Sequence, residues 1–155
     1  MKKLMTLLAC LTLTAFTLQA LPTVTSAAEE EKPKLLCPVS GKEASKEHSV
    51  KYKGAAVYFC CPNCPKAFEA EPAKFAAAAN HQLVATKQFE QKGCPISGGK
   101  LNPETAVEIK GVSVSFCCNN CKGKVEAAEG AEKMDLVFGE KAFEKGFKKA
   151  KRDKE

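Results

Sequence analysis

The stretch Phe59-Cys60-Cys61-Pro62-Asn63-Cys64 returns 57 positions later as Phe116-Cys117-Cys118-Asn119-Asn120-Cys121. Upstream of each lies the same short turn, Cys37-Pro38-Val39-Ser40-Gly41 and Cys94-Pro95-Ile96-Ser97-Gly98. Aligning Cys37–Glu71 with Cys94–Ala128 without gaps gives 16 identities in 35 positions, so the chain carries one motif written twice. The match resumes further on, where Leu83-Val84 answers Leu136-Val137 and Phe89 answers Phe143. Chemistry common to both copies should use residues present in both. Four cysteines per copy pass this filter. His48 fails, its counterpart being Thr105, and His81 has no counterpart.

The chain has 155 residues, nine Cys, two His and a formal net charge of +6. That composition is ordinary for a globular protein and argues against a wholly disordered one. Length leaves no room for a large enzyme core, and the cysteine excess points to disulfides or metal.

Lys2 and Lys3, the apolar Leu4–Leu21, and small residues ending at Ala28 before Glu29-Glu30-Glu31 read as a secretory signal peptide over residues 1–28. Cys10 falls within the discarded part. What remains carries eight cysteines and a charge of 22 − 18 = +4, with no further run long enough to span a bilayer. The expectation is an exported protein, periplasmic or secreted, with repeat 1 over 29–92 and repeat 2 over 93–155.

Each copy reads as a Cys turn, a β-hairpin and a short helix, a small α+β unit. In copy one the strands are Ser49–Lys53 and Val57–Cys60, with a turn at Gly54. Helices follow over Pro62–Ala70 and, opened by Pro72, over Ala73–Ala79. Leu83–Thr86 reads as a last strand. In copy two, Lys141–Lys151 reads as a lysine-rich C-terminal helix, with Phe143 and Phe147 on one face at i, i+4.

Units of about 55 residues rarely gain more than about 3–5 kcal/mol from a core alone, so a staple is expected. Cysteines at i, i+1 and i+4, at a hairpin end entering a helix, can share a ligand sphere with a cysteine from a separate turn. Backbone N–H groups at the helix start favour thiolates there. Export, by contrast, favours disulfides, and four cysteines per copy allow two bridges each. Cys61-Pro62-Asn63-Cys64 is also a CxxC, but no βαβ pattern surrounds it. No acid/base pair, phosphate loop or nucleophile signature stands out, so the chain reads as non-enzymatic. Its modest charge and export argue against nucleic acid.

The pattern C-P-x-x-G followed by F-C-x-x-x-C resembles the TRASH/YHS group of small heavy-metal-binding domains. Cys37, Cys60 and Cys64, then Cys94, Cys117 and Cys121, carry the resemblance. Phe68, Pro72 and Phe75 extend it in copy one. Copy two lacks the equivalents of Phe68 and Pro72. The resemblance implies two tandem treble-clef-like units that bind, sense or traffic a metal ion, zinc or copper. Cys61 and Cys118 are auxiliary ligands in this reading. Many members carry a second cysteine in the first turn, where this chain has Ser40 and Ser97. Three sulfurs would suit Cu(I), whereas closed zinc sites want four ligands. The alternative is a disulfide-stapled envelope protein whose role is interaction without metal.

Overall fold

The computed structural model describes residues 34–151; the expected signal peptide lies outside the described residues. Copy one contains strands β1 (Ser45–Tyr52) and β2 (Ala55–Phe59), helices α1 (Asn63–Ala70) and α2 (Pro72–Ala85), and strand β3 (Phe89–Gln91). Copy two follows with β4 (Asn102–Ile109), β5 (Val112–Phe116), α3 (Asn119–Ala127), α4 (Gly130–Phe138), α5 (Glu140–Gly146) and β6 (Phe147–Lys149). The α+β class expected from the sequence is what forms, as two tandem cysteine-rich units.

Each hairpin turns in two residues. Tyr52 pairs with Ala55 across Lys53-Gly54, and Ile109 with Val112 across Lys110-Gly111. All four turn residues have positive φ, between 48° and 77°. That is the twist-matched turn of tight hairpins, in which both central residues need positive φ. The inward residues are the same in both copies: Val57 and Phe59, Val114 and Phe116, all inaccessible to solvent. Val125 fills in copy two the buried place that Phe68 fills in copy one. A bulge interrupts each hairpin, and here the copies differ. His48 pairs with Phe59 in the ladder. In copy two the Thr105 hydroxyl plugs the bulge, accepting from Phe116 N–H at 3.0 Å and lying 2.6 Å from Phe116 O.

Two sequence expectations are corrected. Leu83–Thr86 is not a strand, because α2 runs through to Ala85. The alanine-rich run has high helix propensity, and Leu83 faces the core as part of the helix. Nor is Lys141–Lys151 one helix. It is α5 up to Gly146 and then β6, which pairs antiparallel with β3, Gln91 opposite Phe147 and Phe89 opposite Lys149. A Cβ at Gly146 would lie 3.0 Å from Gly93 O and Pro95 Cα, so the chain bends at the residue that admits this approach. By position it is therefore Phe147, not Phe143, that answers Phe89. Phe143 and Phe147 still stack, with ring centroids 5.2 Å apart.

The β3–β6 pair joins the end of one copy to the end of the other. A single apolar cluster runs through both, including Phe59, Leu83, Phe116, Val137, Phe138 and Phe143. Polar contacts cross the same seam. His81 Nε2 lies 3.1 Å from Ile109 O, Asn80 Nδ2 donates to Phe138 O at 2.7 Å, and Lys53 Nζ meets Glu140 Oε2 at 2.6 Å.

Hairpin edges expose unpaired backbone groups, and glutamines cover them here. The Gln82 amide accepts from Tyr58 N–H at 2.7 Å and donates to Tyr58 O at 2.8 Å and Leu36 O at 2.7 Å. Gln91 does the same for Ser115, the counterpart of Tyr58, but reaches it from β3 rather than from a helix. Gln82 is 2% exposed, so Gln82→Ala would strand three backbone groups. The expected cost is about 3 kcal/mol or more, at about 1–3 kcal/mol for each unsatisfied buried group. It is checked by a lower urea midpoint with unchanged m.

Candidate metal centre

In each copy the Cys turn folds back on itself. Gly41 N–H donates to Cys37 O at 2.9 Å, and Cys37 N–H to Lys42 O at 2.7 Å. Gly98 N–H donates to Cys94 O at 2.7 Å, and Cys94 N–H to Gly99 O at 2.9 Å. Gly41 and Gly98 have φ of 70° and 77°, a left-handed conformation that glycine adopts at no steric cost. The turn delivers Cys37 against the end of β2 and the start of α1.

There the Sγ atoms of Cys37, Cys60 and Cys64 all lie within 4.8 Å of one another, and those of Cys94, Cys117 and Cys121 do likewise. Cys60 to Cys64 and Cys117 to Cys121 are each 3.6 Å. Thiolates held at about 2.3 Å around one ion stand a little under 4 Å apart, so each triad fits a shared soft metal. All eight cysteines among the described residues are free thiols. Cys37, Cys64, Cys94 and Cys121 are buried, and Cys60 and Cys117 half-buried. Around them lie Phe59 and Phe68 in copy one, and Phe116 and Val125 in copy two.

Cys61 and Cys118 stand beside the triads. Cys61 Sγ is 3.4 Å from Cys64 Sγ, and Cys118 Sγ is 3.7 Å from Cys117 Sγ. Ser40 Oγ lies 3.1 Å from Cys60 Sγ, and Ser97 Oγ 3.1 Å from Cys117 Sγ, so each serine touches its cluster where a further sulfur would stand.

The electrostatics divide the thiols. Burial alone would raise Cys37, but hydrogen bonds from the Ser40 hydroxyl and from the backbone of Ser40, Cys60 and Val39 outweigh it and bring the thiol down to about 7. Cys94 is brought to about 7 against burial in the same way, by Ser97, Cys117 and Ile96. Burial, together with the surrounding thiols, pushes Cys121 up to about 12 and Cys64 well above the usual thiol range. Each cluster therefore pairs a ready thiolate with a buried thiol that gives up its proton only to a cation.

A pH signature follows for the metal-free, reduced protein. Cys37 and Cys94 ionise near 7 when folded and near 9 when unfolded, so stability should rise from pH 7 to pH 9. Their contribution is lost as pH falls through 7. Cys121 works the other way, remaining protonated to about 12, so stability should decline above pH 9. Urea midpoints should peak near pH 9, and Ser40→Ala with Ser97→Ala should flatten the lower limb.

The sequence comparison adds one finding. A YHS domain is found at residues 37–79. It spans the first Cys turn, the β1–β2 hairpin, α1 and the first half of α2, and so contains Cys37, Cys60, Cys61 and Cys64. The second triad lies outside the matched residues. None of the curated proteins or solved structures compared matches the chain.

His48, half-buried on β1, and His81, bonded to Ile109 O across the seam, belong to neither sulfur cluster. The sequence reading missed the roles of Asn80, His81 and Gln82. Their signal was faint: polar residues on the continuously buried stretch Ala79–Leu83 of α2.

Proposed function

We propose that this protein is an exported, non-enzymatic carrier or sensor of a soft or borderline heavy-metal ion, zinc or copper, bound through cysteine thiolates with one ion per triad. The observation that carries the reading is the repeated convergence of three sulfurs from a turn and a helix start within 4.8 Å. The YHS domain over the first triad supports it. Disulfides account for the clusters less well. Bridging any two sulfurs of a triad would break up the three-sulfur set that recurs in both copies, whereas one ion uses all three. Export, to the periplasm or beyond, rests on the leader-like residues 1–28. No helix among the described residues is long and apolar enough to cross a membrane.

Substituting both serines separates the metals. Ser40→Cys with Ser97→Cys would add a sulfur beside each triad. Zinc affinity should then rise by about tenfold or more, about 1.4 kcal/mol, because zinc gains its fourth ligand. Cu(I), already satisfied by three thiolates, should gain less. Competition titrations with both ions test this; unchanged zinc affinity would show that Cys61 and Cys118 already complete four-sulfur sites.

A further inference from the structure

Two thiols touch the triads without joining them. Cys61 is half-buried and meets the buried Cys64, whereas Cys118 is exposed and meets the half-buried Cys117. The difference follows the helix start. Pro62 holds α1 back to Asn63, and Cys61 O accepts from Cys64 N–H at 3.3 Å. In copy two, Asn119 takes the place of Pro62 and is itself the first residue of α3. Cys118 precedes it in extended conformation, φ −162°, and its carbonyl accepts from Lys122 N–H at 3.1 Å.

A triad with two buried sulfurs gives a partner little access to its ion, and soft-metal thiolate sites exchange ligands one sulfur at a time. We infer that Cys61 and Cys118 are exchange thiols, through which the ion passes between each triad and a thiol-bearing donor or acceptor. The inference rests on the metal-binding reading above. In copy one, the Cys61 sulfur–metal bond forms as the Cys64 bond breaks, and the Cys61 proton passes to the Cys64 sulfur. In copy two, Cys118 exchanges with Cys117 in the same way. Neither step changes any oxidation state. Copy two, whose exchange pair is the more exposed, should release its ion faster.

The test uses full-length reduced protein loaded with Cd(II), whose thiolate absorption reports each bond, mixed rapidly with excess EDTA. Wild type should lose Cd(II) in two phases. Cys118→Ser should slow the fast phase, and Cys61→Ser the slow one, each by about tenfold or more, with Cd(II) stoichiometry kept and affinity within about threefold. Unchanged rates would overturn the inference, as would loss of stoichiometry or affinity, which would make these residues ordinary ligands. A wild type that binds no Cd(II) would overturn the metal-binding reading, and this inference with it.

Discussion

Cys64→Ser should leave one metal ion per chain, and Cys64→Ser with Cys121→Ser should leave none. Both sulfurs are buried, 7% and 8% exposed, and each lies 3.6 Å from the next thiol of its own triad. A hydroxyl there removes a direct ligand, so affinity at that site should fall by more than the 10–100-fold, roughly, typical of a lost outer-shell partner. Stability should follow occupancy. At free metal about 1,000 times Kd, one bound ion stabilises the folded state by about 4 kcal/mol. That increment should vanish at the altered site and persist at the other, as read by metal analysis and thermal melts of the same samples.

The second large effect concerns the seam between the copies. Phe138 is fully buried at the end of α4. It stacks on Phe147 at 5.6 Å, meets the His81 ring of copy one edge-on at 5.0 Å, and presents its carbonyl to Asn80. Phe138→Ala should cost about 3–5 kcal/mol, the range for emptying a buried phenylalanine site. Because the apolar cluster is continuous across both copies, that loss should appear in a single transition shared by the two, with or without metal. Two separate transitions in urea, only one of them shifted, would show that each copy folds on its own core.

That shared core is also where the sequence was least informative. The hairpins, the Cys turns and α1 were legible because each has a local cause: alternating Val and Phe, a two-residue turn ending in glycine, a proline before a helix. The sulfur triads were legible because two copies could be compared, and only cysteines recurred at every needed position. What escaped was set by contacts between segments distant in the chain, several of them between the copies. Leu83 looks like a strand residue beside Val84 until α2 is seen to need one more turn to bury it. Phe143 and Phe147 have helical spacing, yet β3 recruits Phe147 into a strand and leaves Phe143 on α5. Gln82 and Gln91 serve equivalent strand positions from unrelated places in the chain, so no alignment of the repeats could pair them. Ser40 and Ser97 were visible as departures in the first turn. Their hydroxyls' approach to Cys60 and Cys117 was not.

The central claim is that each triad holds one ion through sulfur alone. X-ray absorption at the metal edge, on protein isolated reduced from its own compartment and quantified for bound metal, tests it most directly. The account predicts two ions per chain, one for each triad, with a first shell of sulfur at about 2.3 Å and no nitrogen. Protein without metal and without free thiols, or an ion held by nitrogen and oxygen, would contradict it.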